Sequence, residues 1–268
     1  MNRLLGYRFV SSVVRTVMVA ALIVNVAQAQ ADIGVVVLHG KQATPMQSFV
    51  SALHAAGFSA LSPELPWSGR RLYDRTYDQA LEEVDAAVEE LKKRGAKRIV
   101  IAGQSMGAGA ALRYGATRPG VAGVIVMAPG HRVDVPEYGN RFADDLSRAR
   151  RLISSGRADD VETFQDYNVD RGGARAFEVR TSPRIYVSMF DPDGGAAFSK
   201  SAPLLKARTA LLWIVGRRDF GFAAGEGYAF ARAPAHPLSR YVVVDAGHTD
   251  TPQSALPIVV EWLKALPR

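Results

Sequence analysis

A serine stands between two glycines in the pentapeptide GQSMG, residues 103–107, which fits the pattern G-x-S-x-G. An apolar run typical of a buried strand, residues 99–102, precedes it, and residues typical of a helix follow it. In this strand–turn–helix context, the pattern presents the Ser105 hydroxyl as a nucleophile. The amide of Met106 would then lie at a helix N-terminus, where partial positive charge stabilises a developing oxyanion. A glycine-rich turn with an incidental serine is the alternative.

A serine nucleophile needs a base, and the base needs an acid that orients it. Among five histidines, His248 follows the last apolar strand in the segment DAGHTD, and Asp219 follows the preceding strand in GRRDFG. Because parallel strands end at the same edge of a sheet, we expect Ser105, Asp219 and His248 to converge there as nucleophile, acid and base. Three other acids compete with Asp219 for the role: Asp191, Asp193 and Asp245.

A second oxyanion donor is expected in the loop after the first strand, in the segment VVVLHGKQATP. Gly40 allows this loop to turn inward, so the backbone N–H of Lys41 is predicted to face that of Met106. Gln42 is the alternative donor. His39 is interpreted as structural rather than catalytic.

Short apolar runs alternate with helical patterns along the chain, which predicts an α/β fold with a mostly parallel sheet flanked by helices. The rhythm breaks over residues 131–208, a polar stretch with one helix pattern at 141–154. We predict that residues 30–130 and 209–268 form the core and that 131–208 form a small cap. The predicted strands are 33–38, 58–61, 98–102, 121–127, 210–215 and 241–244, and the predicted helices are 45–56, 77–94, a segment from the serine turn to before Pro119, and 252–266.

Four segments together resemble the α/β-hydrolase family: LHGK, GQSMG, VGRRD and AGH. The resemblance is strongest to its capped serine-hydrolase branch of esterases, lipases and serine-aminopeptidase-like proteins. It implies an eight-stranded type of sheet, with Ser105 as nucleophile, His248 as base and Asp219 as acid.

The N-terminal segment, residues 1–29, has the order of a secretory signal peptide. The charges before Asp32 are all arginines, and an apolar run over 16–27 leads to small residues ending at Ala29. We predict cleavage after Ala29, with Ala31 as the alternative, and hence a periplasmic or secreted protein with no membrane span after cleavage. An uncleaved anchor is the other interpretation, although spanning a bilayer takes roughly 20 apolar residues.

Composition excludes several classes of function. The 268 residues include no cysteine, which rules out disulfides, thiolate catalysis and cysteine-ligated metals. The formal net charge of +7 includes three arginines of the predicted signal peptide, and no basic stripe with interleaved aromatics predicts nucleic-acid binding. No histidine or carboxylate cluster has metal-ligand spacing, so neither a metal nor a cofactor is expected. The expected partner is a small-molecule acyl substrate, and the oligomeric state stays open.

Three functions fit these features. The first is a carboxylesterase that acts on small or medium esters through an acyl-enzyme. The second is an amide or peptide hydrolase, which needs cap carboxylates to hold a substrate amine. The third is a non-catalytic binding protein of the cell envelope. The carboxylates considered for the second function are Asp144, Asp145, Asp159 and Asp160.

Five cap aromatics either line an acyl pocket or pack the cap onto the core, and packing is the favoured interpretation for most of them. They are Phe164, Tyr167, Phe177, Tyr186 and Phe190.

Overall fold

A six-stranded parallel sheet forms the centre of the computed structural model, which describes residues 32–170 and 173–267. The predicted signal peptide, residues 1–29, lies outside the described residues. The strands of this sheet are β1 Ile33–Leu38, β2 Ser59–Leu61, β3 Arg98–Ser105, β4 Val121–Pro129, β7 Ala210–Gly216 and β8 Arg240–Val244. The strand order is β2-β1-β3-β4-β7-β8, and all neighbouring strands are parallel.

Helices cover both faces of the sheet, because alternate residues along each central strand point to opposite apolar clusters. The helices are α1 Gln47–Ala55, α2 Tyr77–Lys93, α3 Met106–Thr117, α4 Pro136–Gly139, α5 Ala143–Ser154, α6 Pro183–Phe190, α7 Phe198–Ser201 and α8 Thr251–Ala265. Val36 and Leu38 of β1 belong to the cluster with α2 and α3, whereas Val35 and Val37 belong to the cluster with α1 and α8. In the described part of the chain, no helix has the length and apolar character needed to cross a membrane.

The segment between β4 and β7 leaves the sheet and folds over its carboxyl edge. It contains α4 to α7 and an antiparallel hairpin of β5, Glu162–Asp170, and β6, Gly173–Thr181. Phe142, Phe164 and Tyr186 from this segment belong to the apolar cluster on the α2/α3 face of the core. We call residues 131–208 the cap from here on.

The predicted fold class is confirmed, and the elements differ from the sequence-based expectations in three ways. The described residues form a six-stranded central sheet, not the eight-stranded type implied by the resemblance. The β3 strand extends to Ser105 and the β4 strand to Pro129, beyond their apolar runs. The cap contains the hairpin β5–β6, where sequence analysis predicted one helix alone.

The start of α3 packs directly against the end of β1. A Cβ atom at Gly107 would overlap the Leu38 carbonyl and lie 2.6 Å from the His39 carbonyl oxygen, and these backbone atoms have no room to move. Gly107→Ala is therefore expected to lower the free energy of unfolding by about 1–3 kcal/mol, the usual cost of overpacking. Gly227→Ala is the matched control, because no atom lies within 4 Å of a Cβ there. Urea unfolding compares the two, and equal midpoints would contradict the steric argument.

Candidate active site

The Ser105 hydroxyl is presented by a strained turn between β3 and α3. Ser105 has φ 56° and ψ −118°, a backbone conformation that residues other than glycine rarely adopt. Gly103 and Gly107 make the turn possible, because a Cβ on either would overlap a backbone carbonyl oxygen, that of Gly107 or of Leu38 respectively. Met106 is the first residue of α3, so its N–H has no acceptor within the helix.

Ser105, His248 and Asp219 are brought together in one hydrogen-bonded chain. The Ser105 Oγ lies 3.0 Å from the His248 Nε2, and the His248 Nδ1 lies 2.8 Å from the Asp219 Oδ2. An ionised carboxylate only accepts, so the Nδ1–H donates to Asp219 and leaves Nε2 free to accept the serine proton. The geometry is that of a nucleophile, a base and an orienting acid.

The Asp219 carboxylate is held on both oxygens. Its side chain is buried, its second oxygen accepts a 2.6 Å bond from the Gly221 amide, and the Phe220 ring packs 4.5 Å from the His248 ring. The competing acids bond elsewhere: Asp245 to Arg218, Asp191 to Arg150 and Asp193 to Lys200.

The other four histidines bind backbone or tyrosine groups instead of Ser105. The His39 Nε2 accepts the Leu65 amide at 3.0 Å, and burial lowers the pKa of His39, which keeps it neutral. This agrees with the structural role expected from the sequence. The remaining partners are Ala60 for His54, Met189 and Tyr138 for His131, and Leu238 for His236.

The loop after β1 lies directly against Ser105. A Cβ on Gly40 would lie 3.1 Å from the Ser105 Cβ and 2.5 Å from the Gln104 Oε1, so glycine favours this close approach. The Gln42 amide donates to the Trp67 carbonyl at 2.8 Å and is not available to a ligand. The Lys41 amide has no acceptor within the described residues, which leaves it as the candidate partner of the Met106 amide.

A cavity of about 630 Å³ opens above Ser105 and His248 between the core and the cap. Its size is ordinary for a small-molecule site. Gly40 and Lys41 line it on the core side and Tyr138 and Tyr167 on the cap side. Within 32–170 and 173–267, no group of three or more His, Asp or Glu side chains is arranged to hold a metal ion.

The sequence of this chain matches a known protein family. A family model described as the alpha/beta hydrolase family matches residues 35–258. The chain belongs to the alpha/beta hydrolase family. No curated protein matches it.

Solved structures of a lipase and of two esterases superpose over most of the chain. A monoacylglycerol lipase of Paleococcus ferrophilus is 20% identical with a TM-score of 0.62, covering 87% of this chain and 95% of its own. A carboxyl esterase of Bacillus coagulans is 13% identical with a TM-score of 0.63, covering 88% and 91%. A Pyrococcus furiosus esterase is 20% identical with a TM-score of 0.57, covering 89% and 83%. At these identities the likeness shows the fold alone.

In this hydrolase, the Lys41 side chain ties the loop after β1 to the cap, a role that sequence analysis missed. Its Nζ donates to the Asp166 Oδ1 at 2.7 Å, to the Tyr167 carbonyl at 2.6 Å and to the Tyr138 hydroxyl at 3.1 Å. Asp166 is fully buried and also accepts the Tyr73 hydroxyl at 2.6 Å. Burial lowers the pKa of Lys41, and the Asp166 carboxylate opposes that change.

Next to this ion pair lies a neutral imidazole. Burial, with a further contribution from the Lys41 ammonium, lowers the pKa of His131 to about 4. His131 therefore carries no charge at neutral pH, and its Nε2 lies 2.8 Å from the Met189 carbonyl. It adds an uncharged aromatic ring to the wall of the cavity.

Of the five cap aromatics named above, Tyr167 lines the cavity. Phe164 and Tyr186 stack at 4.3 Å, and Tyr186 stacks on Phe190 at 4.5 Å, all three buried. Phe177 packs against the same cluster. Packing of the cap thus accounts for four of the five.

The buried pair yields a stability prediction. Asp166→Asn leaves the Lys41 ammonium buried without its counter-charge, and breaking such a pair costs about 3–5 kcal/mol of unfolding free energy. Denaturant unfolding of the purified variant measures the loss. Asp159→Asn is the control, because Asp159 pairs with Arg184 on the cap surface and is expected to change little. Equal stability of the two variants would contradict the importance of the buried pair.

Proposed function

We propose that the protein is an exported serine hydrolase that cleaves small or medium carboxylic esters. One observation carries the proposal: the Ser105–His248–Asp219 chain of hydrogen bonds has its hydroxyl end in a cavity of small-molecule size. The export in this proposal rests on the sequence pattern of residues 1–29.

In the proposed mechanism, the Ser105 Oγ attacks the acyl carbonyl while the His248 Nε2 takes its proton. The Lys41 and Met106 amides donate to the carbonyl oxygen as it becomes negative, and such donors contribute about 3 kcal/mol each. His248 then gives the proton to the departing alkoxide, leaving the acyl group on Ser105. Water, activated by His248, attacks this acyl-enzyme and releases the acid. Asp219 keeps the imidazole in the tautomer that both steps need.

Ester cleavage is favoured over amide cleavage by the positions of the cap carboxylates. Asp145, Asp159 and Asp160 bond to arginines of the cap. Neither they nor Asp144 are among the residues lining the cavity. A substrate amine at Ser105 would therefore meet none of these four carboxylates. Glu137, the one carboxylate among the described lining residues, shares the cavity with Arg132 and Arg141.

Activity-based labelling with a fluorophosphonate tests the nucleophile. We expect the purified protein to be labelled and to hydrolyse 4-nitrophenyl esters, with fastest turnover for short or medium acyl chains. Ser105→Ala should abolish both, because the probe and the ester react at the same oxygen.

The outcomes of this experiment separate the three functions. A folded protein that is neither labelled nor active on any ester would overturn the proposal in favour of a binding protein. Faster turnover of aminoacyl amides than of matched esters would establish the amide hydrolase. Fastest turnover of long acyl chains would indicate a lipase.

Replacement of the acid tests the triad assignment. Asp219→Asn leaves the hydrogen-bonding shape but favours the wrong tautomer of His248, so kcat is expected to fall by about 10³- to 10⁴-fold. Asp245→Asn and Asp191→Asn are controls, because their carboxylates bond to surface arginines. Steady-state kinetics on one ester compares the three. Retention of activity in Asp219→Asn with its loss in Asp191→Asn would reassign the acid.

A further inference from the structure

Two cationic side chains of the cap, Arg132 and Arg141, line the cavity above Ser105. Within the parts of the chain that the structure describes, neither guanidinium forms an ion pair with a carboxylate. Four other cap arginines do so: Arg148, Arg150, Arg157 and Arg184 each pair with an acidic side chain. The two cavity arginines differ from these four in having no carboxylate partner among the described residues.

Arg132 lies near the base of the triad. Its guanidinium carbon is 5.8 Å from the centre of the Phe220 ring and 5.7 Å from that of Tyr228. The Phe220 ring in turn lies 4.5 Å from the His248 ring. One aromatic ring thus separates the cation from the imidazole. Aromatic contacts position a guanidinium but do not occupy its N–H donors with an anionic acceptor, so these donors stay available to a ligand.

Two carboxylates in this region already accept hydrogen bonds from other groups. Asp134 accepts the Tyr228 hydroxyl at 2.6 Å and the Ser199 amide at 2.8 Å. Asp219 accepts from His248 and Gly221. These contacts direct both carboxylates toward other groups.

The charges that face the cavity are unequal. Glu137 is the one carboxylate among the described lining residues, and Lys41 is neutralised by Asp166. Arg132 and Arg141 remain as two cations against Glu137. Arg141 is exposed and lies 5.8 Å over the Tyr167 ring, at the outer part of the cavity, whereas Arg132 is half-buried.

The position of Arg132 also indicates which half of a substrate it meets. During ester cleavage His248 must pass its proton to the departing alcohol, so the alcohol half lies on the His248 side of the scissile bond. Arg132 lies on that side, next to Phe220. The acyl carbonyl oxygen instead points to the Lys41 and Met106 amides.

We propose that the preferred substrates are esters whose alcohol half carries an anionic group, such as acyl esters of hydroxy acids. Arg132 binds the anion, and Arg141 at the outer part of the cavity attracts it. This inference rests on the proposed ester hydrolysis and names its substrate class. Carboxylate and phosphate offer the same oxyanion chemistry to a guanidinium, so both belong to the test.

Matched neutral and anionic esters test the inference. The first pair is 4-butyryloxybenzoate and 4-butyryloxybenzamide, which differ in the charge of the leaving group; 4-butyryloxyphenyl phosphate provides the phosphate arm. The measured quantity is the ratio of kcat/KM for the anionic ester to that for the neutral one. Because each variant is compared with the parent protein, the intrinsic reactivity of the two esters cancels.

Arg132→Gln is expected to lower this ratio about 10- to 100-fold, the range for a lost hydrogen bond to a charged group. Arg141→Gln should lower it less, with an effect that fades at high salt because the side chain is exposed. Glu137→Gln should raise the ratio. Arg151→Gln is the control: Arg151 is exposed on α5 and bonds to Ser147 outside the cavity lining, and it should leave the ratio unchanged.

Several outcomes would overturn the inference while leaving ester hydrolysis intact. One is turnover of the neutral ester with a ratio that none of the cavity charges affects. Another is an arginine-dependent preference seen only when the anion is on the acyl half, as in mono-4-nitrophenyl adipate compared with 4-nitrophenyl hexanoate. That result would show that the arginines bind an anion on the acyl half of the ester, not on the alcohol half.

Failure of the proposed function gives a different result, since then no ester is hydrolysed and no fluorophosphonate label appears. The anion site is still measurable by calorimetry on Ser105→Ala protein. We expect 4-butyryloxybenzoate to bind more tightly than the benzamide, and Arg132→Gln in the same background to remove the difference. Equal binding of the two compounds would overturn the inference.

Discussion

The left-handed backbone at Ser105 is the constraint on which the site depends. It is possible because Gly103 and Gly107 carry no Cβ, so the end of β3, the start of α3 and the end of β1 approach within backbone contact. This one approach brings the hydroxyl, the Met106 amide and the Gly40 loop to the same point. The parallel sheet then supplies the loops after β7 and β8, which hold Asp219 and His248. The strain at Ser105 is balanced by the buried strands on both sides of it.

The cap is attached to the loop after β1, which lies directly against Ser105. Its hairpin holds the loop after β1 through Asp166 and Lys41, and through a 2.7 Å bond from the Asn168 side chain to that of Gln42. The same loop carries the candidate oxyanion donor. The cap therefore forms a wall of the cavity and also fixes the position of a backbone amide. Tyr138 and Tyr167 serve both purposes, because each contacts Lys41 and lines the cavity.

The sequence alone was sufficient to predict the core. Runs such as IGVVVL and ALLWIVG, which are buried on both faces, indicated parallel strands. The residues that follow the strand ends could be placed at one edge because strand direction determines that edge. This reasoning predicted that Ser105, Asp219 and His248 lie close together at that edge.

The structure of the cap could not be predicted from the sequence in the same way. The hairpin β5–β6 mixes polar with apolar residues, as in ETFQDYNVD. It therefore lacks the continuous apolar run that identified the core strands. The role of Lys41 depends on Asp166, 125 residues later, and no local pattern links the two. Likewise, the sequence does not show that Arg132 and Arg141 have no carboxylate partner among the described residues. That observation needs the positions of the surrounding side chains.

The buried pair of Lys41 and Asp166 has a consequence for how this protein can change. Its two charges belong to different parts of the fold, one to the core and one to the cap, and each is tolerated inside the protein only with the other. Exchange of the cap for one that lacks an acid at the position of Asp166 would remove this counter-charge. The Lys41 ammonium would then lie buried near Ser105 without a partner charge. A cap exchange is therefore expected to leave the fold stable only when Lys41 and Asp166 are transferred together, although they lie 125 residues apart in the chain.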